Sequence, residues 1–441
     1  MKVAWLTPFS AASAIGRYSK YAAEALAKHA EVDLLIFDRE KLHQTSLKIV
    51  PISLIDFAAQ LECYDIIVYN IGDNSNYHSA IFDTLRLHRG ITIAHDVCLQ
   101  NLFCGHYVAV KKAPLEYRSA LQTLYGEQIA NRIYSASASV EMWAKEDFAT
   151  YHGSELFLPY CTGLITHSHY HMEKLLPLYS GPKAVIAFPN MNEFQPSTNP
   201  GTFSGYDADC FNILTVGNVN PNKCLDATLR AIAGSDVLRK NVCLISIGSL
   251  ANEIYVQSLE RLASELGIKR NLRLLGFVDH QELGEYYRHA DAVVNLRYPA
   301  LEGASASLAE QMLLGKATIV TDAGVYAEVP DNCVIKVRPD HSSEDTMAAL
   351  EILIDKRALA DEIGARAKAY AEQLYSRETY GKKLYEFLCS VEFTKPLESL
   401  IGRLTSEMRK MGITSDMHLG ATLAEEIETL FYAYEKNATE E

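Results

Sequence analysis

The chain has 441 residues, enough for two or three domains, and is 48% hydrophobic and 22% charged, an ordinary globular composition with enough apolar residue for real cores. A net charge of −14 argues against a nucleic-acid partner. Nine cysteines, spread from Cys63 to Cys389, form no CxxC pair and no metal-ligand spacing, which fits reduced thiols rather than a disulfide framework or a zinc site.

Val3–Thr7 reads as a buried parallel strand, apolar because both faces of such a strand are covered. A small-residue loop, Pro8 to Gly16, leads to a helix with Tyr18, Ala22, Ala25 and Leu26 on its apolar face, and Val32–Phe37 is the next strand. This β-loop-α-β unit opens a doubly wound α/β fold. Asp65–Tyr69 and Ile91–Ala94 are short strands running into polar residues, Asn70 and Asp73 in one case, His95 and Asp96 in the other. Ligands of open α/β sheets sit outside the carboxyl ends of strands, so these residues are candidates for a site. Residues 114–150 read as amphipathic helix. Gly163–Thr166 is a strand, followed by His167 and a helix around Met172–Leu178, and Ala184–Ala187 closes the first domain. Residues 188–210 hold Pro189, Pro196, Pro200, Gly201 and Gly205 and have linker composition.

A second α/β cycle follows. Ile213–Val216 ends in Gly217, and a loop to Lys223 precedes a helix from about Leu225. Cys243–Ile247 ends in Gly248 and Leu272–Leu275 in Gly276. Asp291–Leu296 leads to the loop 297–304, then to a helix Ser305–Leu314. Ala317–Thr321 and Cys333–Val337 complete the sheet. Residues 360–390 are expected to be helical, residues 396–411 carry apolar positions at helical spacing, and 421–435 read as a last helix.

The first turn holds Gly16 but no GxGxxG, so the dinucleotide fingerprint is absent, as are a P-loop, a GxSxG elbow and HExxH. Gly16 at a helix start suits a phosphate, or it is a turn glycine that lets the helix pack closely. Lys223, between a strand and a helix, is a charge for a diphosphate or a solvated loop lysine. Glu302 and Glu310 flank GASASLA, whose small residues leave the amides of Ser305–Ser307 open to an anion. A carboxylate on that helix suits the hydroxyls of a ribose, and the earlier one those of a second sugar. The apolar neighbours Leu308, Met312 and Leu313 argue that this helix is buried rather than a solvated face.

On these motifs the chain resembles the GT-B fold retaining glycosyltransferases of the GT4 type, the glycosyl transferases group 1. LEGASASLAEQMLLGKATIVTDAG (301–324) is similar to the family's E-x7-E region, and ILTVGNVNPNKCLDATLRAI (213–232) to its strand, phosphate loop and helix. LRLLGFVDHQELGEYYRHADAVV (272–294) resembles the segment that reads the base, and AIGRYSKYAAEAL (14–26) the N-terminal glycine loop. ITIAHDVCL (91–99) and LITHSHYHMEKL (164–175) resemble the histidine loop and an acceptor-domain segment. The resemblance covers roughly residues 1–390. It implies that Glu310 binds the ribose, Glu302 the donor sugar, Lys223 the diphosphate with Gly16 approaching from the other domain, and Phe277 and Val278 the base through their backbone. His95 is implied at the reaction centre. Gly217, Asn218, Gly303, Ala304, Ser305, Ala306 and Ser307 complete the implied donor site, and Arg17, Tyr18, Asn70, Asp73, Asp96 and His167 stand on the acceptor side. The family's phosphate-binding arginine is Asn218 here, and Arg297 is the candidate substitute. The family's Phe-Gly after the first glutamate is Ala304-Ser305, a change that bears on donor-sugar choice.

The expected architecture is two Rossmann-like domains facing across a cleft, 1–190 for the acceptor and 211–375 for the nucleotide sugar. A linker 191–210, a helix 376–395 crossing back to the first domain, and a helical tail 396–441 complete it. The expected function is retaining transfer of a sugar from a nucleoside-diphosphate donor to a carbohydrate, glycolipid or other hydroxyl acceptor, in polysaccharide, glycolipid or glycoconjugate synthesis. The implied route is front-face attack, with the leaving phosphate taking the proton and with no cofactor or metal. Asp207-Ala208-Asp209, a DxD string of the kind metal-dependent transferases use, lies in the linker and reads as a turn. The alternatives are an epimerase or hydrolase of nucleotide sugars on the same fold and a silent binding subunit. Residues 1–190 carry 16 Lys+Arg and 18 Asp+Glu, so the negative charge lies mainly in the second half. A near-neutral first half suits a peripheral approach to the inner membrane face; compositional scatter gives the same asymmetry. The opening MKVAWLTPF is too short for a signal peptide and no apolar run approaches the ~18 residues of a membrane span, so a cytoplasmic protein is expected, with the tail a possible contact between copies.

Overall fold

The computed structural model describes residues 1–39, 41–53, 57–136, 147–194, 205–207 and 209–410, with positions 422, 426 and 429. Met1–Lys382 form one compact unit and Lys383–Glu441 a second. The expected last helix, 421–435, lies outside the described residues apart from those three positions.

Within the first unit are two wholly parallel sheets. The first contains β1 (Lys2–Leu6), β2 (Glu31–Ile36), β3 (Lys48–Pro51), β4 (Ile66–Ile71), β5 (Gly90–Ala94), β6 (Cys161–Thr166) and β7 (Lys183–Val185), in the order β3-β2-β1-β4-β5-β6-β7. The second contains β8 (Phe211–Val216), β9 (Val242–Ile247), β10 (Leu272–Gly276), β11 (Ala292–Asn295), β12 (Thr318–Thr321) and β13 (Ile335–Val337), in the order β10-β9-β8-β11-β12-β13. Every strand expected from the sequence is present within two residues of its place. The short edge strand β3 has no counterpart in the sequence reading: its four residues are exposed or half-buried and end in Pro51, which interrupts a strand pattern.

Burial on both faces explains the sequence pattern. Val3, Ala4, Trp5 and Leu6 of β1 are all buried, with Trp5 paired to Leu34 on one side and Val68 on the other. The helix Ala14–Leu26 buries Tyr18, Ala22, Ala25 and Leu26, the four positions read as its apolar face. In each sheet the strand order reverses once, between β1 and β4 and between β8 and β11. At such a switch point the flanking loops diverge to opposite faces and leave a crevice outside the carboxyl ends. The loop Pro8–Gly16 and residues 72–73 border the first crevice, Gly217–Lys223 and Arg297–Glu302 the second.

The helix Ala306–Leu313 is fixed on β11 by buried polar bonds. Asn295 Nδ2 donates to Gln311 Oε1 at 2.9 Å, and Ser305 Oγ caps the helix by accepting from the Leu308 amide at 3.3 Å. At the Asp207-Ala208-Asp209 string, Asp207 Oδ1 accepts from the Asp209 amide at 3.1 Å, the side-chain bond of a turn. Where two C-terminal helices, 376–395 and 396–411, were expected, one helix runs unbroken from Arg377 to Lys410. Its first turn returns to the first domain. Arg377 Nε donates to Asn190 O at 2.6 Å, and its guanidinium lies 3.9 Å from the Tyr21 ring centre.

Candidate active site

At the second crevice two side chains, Lys223 and Arg297, converge on Gly217. This residue has φ +123°, in the region that favours glycine, and a Cβ there would lie 2.5 Å from Lys223 Nζ and 3.6 Å from an Arg297 terminal nitrogen. Two cations therefore meet over a backbone with no side chain of its own. Asn218, in the position of the absent arginine, is exposed. Arg297 is buried, and its amide donates to Thr321 Oγ1 at 3.0 Å, which fixes the start of the loop.

Arg297 also touches the first glutamate. Its Nε is 3.2 Å from Glu302 Oε1, and the buried Tyr326 hydroxyl donates to the same oxygen at 2.6 Å. Burial, then the Glu302 charge, push the Tyr326 pKa well above its ordinary value, so the phenol stays a donor. Glu302 Oε2 accepts from the Leu301 amide at 3.2 Å. The carboxylate is thus held in one orientation beside the two cations. Tyr326 was not found in the sequence. It lies two residues past the matching motif, in the turn Gly324–Tyr326, with only its aromatic bulk among small residues as a signal.

Glu310 is buried near the middle of its helix, and burial raises its pKa while Arg17 opposes the rise. Arg17 comes from the first domain and sits 3.0 Å from Glu310 Oε1. The sequence reading sets Arg17 on the acceptor side; the structure pairs its guanidinium with Glu310 of the second domain, because the first turn of the helix Ala14–Leu26 faces that domain. Gly16, beside it, donates its amide to Ser13 Oγ at 3.0 Å, and a Cβ would lie 2.9 Å from Pro8 O. That geometry is the close-packing role. Phe277 projects its ring into solvent and Val278 is half-buried.

At the first crevice Asn70, His95 and His167 form one chain. Asn70 Nδ2 donates to Leu6 O at 2.9 Å, leaving Oδ1 to accept from His95 Nε2 at 3.1 Å. His167 Nδ1 donates to Ile186 O at 3.0 Å, and its Nε2 lies 3.2 Å from His95 Nδ1. A bond between those facing nitrogens needs one proton beyond two neutral rings. Burial opposes that proton, lowering His95 well below its ordinary pKa and His167 to about 4. The buried Tyr18 ring packs edge-on against both imidazoles, its centre 4.7 Å from that of His95 and 5.1 Å from that of His167, and its hydroxyl bonds that of Tyr380. Tyr18 is therefore a wall of the site rather than a contact for an acceptor.

Asp73 is corrected in the same way. Its Oδ1 accepts from the amides of Asn101 and Leu102 at 2.9 and 3.1 Å, and its Oδ2 from Asn101 Nδ2, so it anchors the start of the helix Gln100–Cys104. Asp96 accepts from the Asp73 amide at 2.9 Å, and burial pushes its carboxyl up to about 6.

The two crevices are joined. Glu302 pairs with Asp96 as an antiparallel bridge, the Gly303 amide donates to His95 O at 3.0 Å, and the Val97 amide to Leu301 O at 3.0 Å. Ser168 Oγ donates to Gly303 O at 2.7 Å, and Tyr170 OH to Ala300 O at 3.1 Å. Glu328 accepts from the amides of His169 and Tyr170. No local sequence signal marks Ser168, Tyr170 or Glu328, whose partners lie 130 or more residues away.

Two switch-point crevices facing each other, one lined by cations and acids, define a GT-B fold. Solved structures agree: sucrose-phosphate synthase from Thermosynechococcus elongatus superposes with a TM-score of 0.61 at 16% identity, covering 89% of this chain and 99% of that one. Anabaena HepE, crystallised with UDP and glucose, gives a TM-score of 0.60 at 15% identity over 88% of this chain and 100% of its own. The model of the family glycosyl transferases group 1 matches residues 205–370. A D-inositol 3-phosphate glycosyltransferase from Kineococcus radiotolerans is 27% identical over 234 residues, 47% of this chain and 53% of the relative, so the chain spans about half the length of that curated relative. The second domain is thus a glycosyl transferases group 1 domain, set in a chain of GT-B fold.

Proposed function

We propose that the protein transfers a sugar from a nucleoside-diphosphate donor to an acceptor hydroxyl with retention at the anomeric carbon. The observation that carries this reading is the meeting of Lys223 and Arg297 over Gly217, with Glu302 held beside them by Arg297 and Tyr326. In the transition state the sugar resembles an oxocarbenium ion and negative charge grows on the leaving phosphate. Fixed cations at that phosphate lower the barrier because they need no reorganisation as the charge appears. Lys223 and Arg297 take that task, aided by the Ala306 and Ser307 amides at the start of the helix Ala306–Leu313, which the Ser305 cap leaves unengaged. Arg297 thereby stands in for the arginine replaced by Asn218.

Glu310 accepts the ribose hydroxyls, which places the nucleotide against the Arg17–Glu310 pair. Glu302 accepts hydroxyls of the transferred sugar, and His95, on the facing strand end, borders the anomeric carbon. The leaving phosphate takes the acceptor proton, so no carboxylate nucleophile and no metal are required. Exclusion of water by the joined crevices protects the donor from hydrolysis.

Incubation with UDP-, GDP- and dTDP-sugars, with and without acceptors, tests this reading. UDP-glucose, with which HepE has been crystallised, is the first donor to try, and D-inositol 3-phosphate is one acceptor to include. Acceptor-dependent donor consumption that persists in EDTA is the expected result. Consumption independent of acceptor means a hydrolase or epimerase, and no consumption of any donor means a binding subunit.

A further inference from the structure

We infer that one face of the first domain, away from both crevices, docks on an anionic lipid bilayer. The face is built where the wide helical turn Gly105–Val110 crosses the end of the helix Ser75–Leu87. The inner side of that turn is anchored. His106 is buried with its ring 5.1 Å from that of Phe82, and Tyr107 stacks on the buried Tyr117 at 6.0 Å. The outer side runs Val108, Ala109, Val110, Lys111, Lys112, and all five residues are exposed.

Large apolar side chains stand out of this face. Leu115 is 74% exposed, Leu87 70%, Val110 53% and Val108 39%. Leu87 shares a surface cavity with Lys111, the residue after Val110, and exposed apolar side chains that lie together rather than singly mark an interaction surface. Around them are cations. Arg86 and Lys111 line, with Leu87, Asp83 and Tyr160, a surface cavity of 360 Å³, and Lys112 and Arg89 are exposed beside it. Among the described residues, the acids on these segments are Asp83, paired with Lys111 at 2.9 Å, and the exposed Glu116. A cationic face stands out on a chain of net charge −14.

Apolar tips ringed by Lys and Arg match the boundary between acyl chains and anionic headgroups, which takes the tips below the phosphates and leaves the cations at them. A second copy fits less well. A two-fold contact would bring the same arginines and lysines against one another. Docking here does not rest on the donor reading; it sets the first domain, which carries the acceptor side of the proposed reaction, at the membrane surface.

Flotation of the full chain with vesicles tests the inference. Binding is expected to vesicles containing phosphatidylglycerol, to be weaker with phosphatidylcholine alone, and to fall in high salt. Arg89→Glu with Lys112→Glu should weaken binding on the order of tenfold or more. Val110→Asp with Leu115→Asp should abolish it, and thermal unfolding and nucleoside-diphosphate affinity should stay unchanged in both variants. No flotation with anionic vesicles, or equal flotation of the variants, overturns the inference. So does self-association of the wild type that Val110→Asp with Leu115→Asp removes, which assigns the face to a second copy. Because vesicle binding is read without sugar transfer, its failure and a failure of the donor reading are distinguishable.

Discussion

At the scale of single residues, the site is a set of charges whose partners lie within 4 Å. Arg297 serves two of them, the Glu302 carboxylate and the space over Gly217. Its replacement by Ala should weaken calorimetric binding of the nucleoside diphosphate by roughly 2 kcal/mol or more, since a charge-assisted contact is lost and Glu302 is left without its cation. Unchanged affinity would remove Arg297 from the phosphate site. Asp96 gives a pH-dependent prediction. Its carboxyl moves from the ordinary 3.8 to about 6 because burial disfavours the charge. A raised acid pKa means the folded state holds the proton more tightly. The associated stability is present below about 3.8 and is lost as pH rises through about 6. Asp96→Asn cannot ionise, so the wild type should lose on the order of 3 kcal/mol relative to this variant across that window. Parallel unfolding curves against pH for the two proteins would contradict the assignment.

At the scale of elements, the loop Arg297–Glu302 and the helix Ala306–Leu313 position the chemistry. Gly303 between them is where the loop meets the first domain. A Cβ there would lie 2.4 Å from His171 Nδ1 and 2.6 Å from His95 O. Backbone cannot yield as a flexible side chain does, so Gly303→Ala should cost roughly 2–4 kcal/mol and shift the loop. The expected result is a lowered thermal midpoint with impaired donor turnover. A variant as stable and active as the wild type would show that the loop has freedom to move. The same elements divide what was legible from what was not. The period of apolar residues placed the strands and the helix around Glu310, because local burial patterns write themselves into adjacent residues. The roles of Asp73 and Gly16 were not legible. A carboxylate that anchors a helix start 28 residues away and one that meets a ligand are the same residue type in a sequence.

At the scale of the molecule, the two parallel sheets are tied by the loop at Ala300–Gly303, by Arg17 on Glu310 and by Glu328 on the amides of His169 and Tyr170. The named ties are hydrogen bonds and an ion pair, with Leu301 of the same loop buried in the hydrophobic core of the first domain, and polar ties of ~1 kcal/mol each open without unfolding either sheet. Glu328→Ala removes an acceptor for two amides. It should raise hydrogen exchange at 169–170 by about fivefold or more while leaving the β1 and β8 amides protected. Equal exchange in both proteins would mean that Glu328 does not hold the two domains together.

The sequence by itself determined the two α/β cycles, the place of each expected strand and the identity of Glu302, Glu310, Lys223 and Arg297 as residues to examine. These follow from local periodicity and from motif spacing, both contained in short stretches of chain. Tertiary structure alone decided which groups face each other. Arg17 is 293 residues from Glu310, and Tyr326 reaches back 24 residues to Glu302. Pairings of that kind depend on how the chain crosses the switch points, and no local pattern of residues encodes them. The same holds for the exposed face at Val110 and Leu115, whose apolar residues are indistinguishable in sequence from those of a core until packing leaves them outside.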